Sequence, residues 1–197
     1  MNDSPPLSLR IYRSAESLSR GLAWVGGAAL IVMAFVITAE ALLRRFGGPL
    51  IGGVDEYTAY VFAITMTWGF AYTAISRGNV RIDFIYDLFP PGIRIALDVL
   101  AWASMLFFFA IVAYFAADLA WSAFQGGDRA RTPLRTLLWV PQGLWALGFV
   151  VLVLALLAMG ARALVLLRRG ERDAARQIIG TGGHGEGDAL PQGDPAR

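Results

Sequence analysis

The stretch Arg77–Asp98 reads RGNVRIDFIYDLFPPGIRIALD and holds three arginines, three aspartates and a double proline between two apolar runs. Taken as a helix at 100° per residue, Ile82–Phe89 brings Asp83 and Asp87 within about 40° of each other and leaves the remaining positions apolar. Two aspartates at this spacing repel mildly. Helices lying on a bilayer usually turn a basic face to anionic lipid, so an acidic face is expected to meet arginines, either of this chain or of a partner. Glu40 has Arg44 four residues on, which suits a local ion pair near the end of a span, with a cation or substrate ligand as the sharper alternative. Asp98 has Arg94 at the same spacing, and Asp118 is expected at outer headgroups or beside an arginine of a connector.

Other chemistries are excluded by inventory. The chain has no cysteine, so thiol catalysis, disulfides and iron–sulfur ligation are absent. Its one histidine, His184, lies in a polar tail, which removes a bis-histidine haem and leaves no basis for a histidine-built zinc site. No close set of carboxylates could act as acid and base. We expect no enzyme, no cofactor and no nucleic-acid partner.

The elements that carry these residues are membrane spans. Of 197 residues, 56% are hydrophobic and only 16% are charged, too few to clothe a soluble surface. The apolar residues fall into four blocks, each near the roughly 20 residues that cross a bilayer core of about 30 Å. The expected fold is all-α: four transmembrane helices at about 22–43, 54–75, 94–124 and 139–167, with a short interfacial helix at about 82–89. A helix over 94–124 would reach about 48 Å, so it must tilt or project into water. Residues 1–20 are expected as a polar arm, 21–168 as the membrane domain and 169–197 as a disordered tail. The first apolar run exceeds the 7–15 residues typical of a signal peptide, so it is expected to remain as a span. Asp55 and Glu56 open the second span, where carboxylates complement the helix dipole.

All 17 basic residues are arginine, and their placement sets the orientation. Twelve fall on the side of the arm, the middle link and the tail, against five (Arg44, Arg45, Arg129, Arg131 and Arg135) on the other. Both termini are therefore expected in the cytoplasm. Trp24, Trp121, Trp139 and Trp145 fit interfacial belts. No span carries a central charge, which argues against an ion path through this chain alone. Along the second span, Thr65, Gly69 and Thr73 form one row of small residues, and Ala59, Ala63, Thr67 and Ala71 form another. Such rows let helices approach closely in lipid and offer a docking surface for a partner.

Taken in order, these pieces resemble the small membrane subunit, the Q or DctQ-type small permease, of tripartite ATP-independent periplasmic (TRAP) transporters. The resemblance covers roughly residues 20–168. ALLRRFGGPLIGGVDEYTAYVF matches the family's arginine after span one, its Gly/Pro loop and its acidic start to span two. WGFAYTAISRGNVRIDFIYDLFPPGIRIALD matches its basic-glycine step, its hydrophobic-Arg-hydrophobic-Asp pattern and its double proline before a basic helix start. TPLRTLLWVPQGLWALGFV is similar to its proline- and tryptophan-containing start of span four. Asn79-Val80 stands where the family often has a histidine, and Phe89 replaces a leucine before Pro90-Pro91.

The resemblance implies a non-catalytic scaffold in the bacterial inner membrane. Its partners would be a large M-type membrane subunit and a periplasmic substrate-binding protein, within the lipid bilayer. The complex would take up an organic acid, driven by sodium. Arg77, Arg81, Asp83, Asp87, Pro90, Pro91 and Arg94 would then form a cytoplasmic clamp on the large subunit, with Glu40, Arg44, Glu56, Thr65, Gly69 and Thr73 as further interface or structural residues. The rival readings are a self-assembling channel or carrier, and a small membrane enzyme.

Overall fold

The computed structural model describes residues 7–49, 52–76, 89–132 and 134–179. They form helices α1 (Leu7–Arg45), α2 (Val54–Ile75), α3 (Pro91–Gly126), α4 (Trp139–Arg168) and the short α5 (Arg172–Ile179). The described residues contain no β-strand, only one antiparallel bridge between Arg129 and Leu137. The expected interfacial helix at 82–89, with Arg77, Arg81, Asp83 and Asp87, lies outside the described residues apart from Phe89.

Helix α1 begins far ahead of the expected span. The segment read as a polar arm is helical from Leu7 onward, so α1 has 39 residues and a length of about 58 Å. The reason is a stripe that runs through the charged stretch: Tyr12, Ala15, Ser19, Leu22, Gly26, Ala29, Met33, Val36 and Glu40 alternate steps of three and four, and each is buried or half-buried. Leu18, Val25 and Val32, one step off the stripe, are exposed. A stripe of this period is the seam along which helices pack at shallow left-handed angles. Ser19 is fully buried and satisfies its hydroxyl on the Ala15 carbonyl at 2.7 Å.

Among the described residues three helices, α1, α3 and α4, are long and apolar enough to cross a membrane. Helix α2 has 22 residues, enough by length, but Thr58, Thr65, Thr67, Thr73, Tyr57, Tyr60 and Tyr72 dilute its apolar character. Those threonines turn back on their own helix. The hydroxyls of Thr58, Thr65, Thr67 and Thr73 donate to carbonyls three or four residues earlier, at 2.7–3.1 Å, which lets a polar side chain stay dry.

Helix α4 is the hub: it packs against each of the other four. Its most apolar stretch is 44% buried, against 6% for those of α1 and α3. Lipid tails are as apolar as leucine, so close packing rather than burial from water must hold such helices together. Close packing here depends on missing side chains. A Cβ on Gly148 would overlap Thr67 of α2, and one on Gly160 would overlap the Trp102 indole of α3. Gly26 lets α1 approach Thr65 of α2, where a Cβ would stand 3.3 Å from the threonine Cβ. Two indoles then fasten neighbours to the hub: Trp68 Nε1 donates to the Leu144 carbonyl at 2.9 Å, and Trp102 Nε1 to that of Leu156 at 3.0 Å. Phe70, Phe109 and Phe149 add an aromatic layer joining α2, α3 and α4, with each pair of ring centroids 6.2 Å apart.

The segment after Arg168 departs from the expected disordered tail. Gly170 takes the left-handed conformation (φ 79°) that ends α4, and Arg172–Ile179 resume as α5. Ala175 and Ile179 are buried, and Ile178 packs against the main core, as do Tyr12 and Ala15 of α1. The physical reason is amphipathicity: apolar Ala175, Ile178 and Ile179 share one face of a short polar segment.

Candidate functional site

At the end of the bundle where α1 stops and α2 begins, the two connectors fold onto each other. Gly127 takes the left-handed conformation that closes α3, and the chain turns back as a hairpin. Ala130 N–H donates to the Thr136 carbonyl at 2.9 Å, Leu138 N–H to that of Asp128 at 3.0 Å, and Arg135 N–H to that of Thr132 at 3.0 Å. Arg135 sits at φ 49°, a left-handed turn position unusual for a side chain of its size. Leu134 packs onto Gly53, the left-handed N-cap of α2, where a Cβ would overlap it.

Three side-chain oxygens beneath this cap are enclosed without a hydrogen-bond partner. Glu56 takes a hydrogen bond from the Tyr60 hydroxyl at 2.7 Å, and its carboxylate faces the hydroxyls of Thr132 and Thr136 in the hairpin. Its Oε2 is enclosed without a partner in hydrogen-bonding geometry. Glu40 stands at the last inward position of the α1 stripe, only 9% exposed. Arg44 donates to its Oε1 at 3.1 Å, as the spacing predicts, while Oε2 is enclosed like that of Glu56. Gln142 Oε1, in the first turn of α4, is a third such acceptor. Glu56 thus ties the hairpin to α2, while the ion pair of Glu40 stays within α1. Above them Arg44, Arg45, Arg129, Arg131 and Arg135 are all exposed, a basic rim on one end of the molecule.

The opposite end begins α3. Pro90 is extended (φ −63°, ψ 155°) and Pro91 is the first helical residue, a position where its missing N–H matters least. Arg94 Nε donates to the Phe89 carbonyl at 2.6 Å, bracing the turn before the helix. Asp98 is 3% exposed on the inward face of α3.

The small-residue rows serve this chain before any partner. Thr65 faces Gly26 of α1, Thr67 faces Gly148 of α4, and Ala71 is fully buried. Thr73 donates to the Gly69 carbonyl at 3.0 Å. Gly69 meets nothing within 4 Å of where its Cβ would stand, and Ala59 and Ala63 are exposed, so these three remain open. Gly148, Gly160, Trp68, Trp102 and Leu134 are contacts the sequence reading did not single out. Glycines facing bulky partners in apolar helices were the available signal.

Among the described residues no group of three or more His, Cys, Asp or Glu could hold a metal ion.

No curated protein and no solved structure matches the chain. One family profile does, described as tripartite ATP-independent periplasmic transporters, DctQ component, and it matches residues 33–166. That match takes in α2, α3, most of α4 and the final third of α1, and with it the cap, the hairpin and the charged link. The chain belongs to the DctQ family and is the small membrane subunit of a TRAP transporter.

Proposed function

We propose that this subunit is a scaffold: it packs against a large M-type membrane subunit and widens the part of it that stays fixed in the bilayer. The complex takes up an organic acid delivered by a periplasmic binding protein, driven by sodium, across the bacterial inner membrane. All four long helices span the bilayer in this reading, α2 included, with both termini in the cytoplasm. The basic rim of Arg44, Arg45, Arg129, Arg131 and Arg135 then faces the periplasm and the binding protein, and Arg77–Asp98 forms a cytoplasmic clamp on the large subunit.

Membership of the DctQ family carries this reading. Two physical features support it. No charge lies between Arg20 and Glu40, Glu56 and Arg77, Asp98 and Asp118, or Trp139 and Arg162, so no span offers a mid-membrane step for an ion. Only 6% of the most apolar windows of α1 and α3 is fully buried by this chain, which leaves broad faces for a partner or lipid.

The test is a tagged purification from native membranes in mild detergent, with mass spectrometry of the associated proteins. A stoichiometric, much larger polytopic protein is expected. A homo-oligomer without such a protein, conducting ions in liposomes by itself, would replace the scaffold with a self-assembled channel.

A further inference from the structure

A groove of about 390 Å³ runs along the outer wall of α1, closed on one side by Tyr72 near the end of α2. Arg20 stands at its mouth, Trp24 forms a wall, and Gly27, Ala28 and Ile31 continue it toward the middle of the span. These α1 residues share one face, because steps of four, three, one and three keep them within about 100° of arc. Gly27 meets nothing within 4 Å of where its Cβ would stand, so unlike Gly26 beside it, this glycine serves no helix contact inside the chain. It leaves room. Trp24 is 77% exposed, and a large amphipathic ring of this kind favours the depth where headgroups meet hydrocarbon.

The geometry points to a binding site for one anionic phospholipid, its phosphate on the Arg20 guanidinium and one acyl chain along Trp24, Gly27, Ala28 and Ile31. The groove has the polarity of an amphiphile: one cationic end, the rest apolar. Arg20 is also paired with Glu16 through one terminal nitrogen at 3.1 Å, and its side chain remains 56% exposed. A guanidinium carries five N–H donors, so that contact leaves others to face a phosphate. Arg13, seven residues earlier, is exposed on the same face and adds positive charge on the approach. The site depends only on this chain lying in a bilayer, and stands or falls apart from the scaffold reading.

Trp24 reports on its own groove. The full chain is reconstituted in nanodiscs doped with phosphatidylglycerol or phosphatidylcholine brominated on one acyl chain. The Trp24 signal is the difference between wild type and Trp24→Phe. Half-quenching is expected at a mole fraction of brominated phosphatidylglycerol about fivefold lower than of brominated phosphatidylcholine. Arg20→Gln should remove the preference, and Arg45→Gln, at the far end of the same helix, should keep it. Gly27→Leu fills open space rather than a packed contact, so the protein folds while quenching by both lipids falls. Equal quenching by the two lipids in the wild type, or a preference unchanged in Arg20→Gln, would overturn the proposal. So would a Trp24 that neither lipid reaches, because the groove would then be covered by protein.

Discussion

A methyl group on Gly148 would strike both the side chain and the backbone of Thr67, and backbone cannot swing aside. Gly148→Ala should therefore lower stability by about 1–3 kcal/mol, the usual range for overpacking. Gly69→Ala on α2 opens into free space and should change it by less than about 0.5 kcal/mol. Unfolding midpoints in one detergent compare the two, and equal midpoints would contradict the packing. Glu40 poses a different question. Its pair with Arg44 is well formed at 3.1 Å, yet the arginine side chain is 65% exposed and most of its field is screened. Glu40→Gln should cost under about 1 kcal/mol. A larger loss would mean that the enclosed Oε2 has a donor in the assembled membrane complex. The spacing of Glu40 and Arg44 announced their pairing, whereas burial of the glutamate followed only from its place on the inward stripe.

At the scale of elements, long apolar runs made α2, α3 and α4 legible, with boundaries within a few residues. The start of α1 was hidden because Arg10, Arg13, Glu16 and Arg20 scatter charge over a segment whose inward positions still keep helical period. Helix α5 was hidden for a related reason: composition averaged over a polar tail conceals three apolar residues on one face. This leads to a contrast between two truncations. Removing Gly180–Arg197, a stretch rich in glycine and acid and poor in apolar residues, should leave the unfolding midpoint unchanged. Removing Glu171–Arg197 should cost about 2–3 kcal/mol as the buried surfaces of Ala175, Ile178 and Ile179 are exposed. Equal midpoints for the two truncations would show that α5 contributes nothing to the fold.

For the whole molecule, the sequence resemblance and the family profile agree on what the chain is, and the charged link between α2 and α3 remains the place where its partner contact is proposed. Replacing Asp83 and Asp87 together with arginine should leave membrane insertion unchanged and at least halve co-purification of the large subunit, because only interfacial charge is reversed. Wild-type stoichiometry in the double variant would remove the clamp. Sequence could not foresee the capped end, because Leu134 meeting Gly53 and Glu56 facing Thr132 and Thr136 join segments about eighty residues apart. Such contacts follow from how α4 brings α2 and α3 together, which no local pattern encodes.

The stripe along α1 also governs how this helix can change length over time. An insertion of one residue after Leu22 would turn everything beyond it by about 100°, moving Glu40 off the seam toward lipid and parting Gly26 from Thr65. Four added residues rotate the remainder by only about 40°, and seven by about 20° in the other sense. Among descendants of this chain, α1 should therefore gain or lose length in steps of four or seven, with single-residue changes confined to the connector after Arg45.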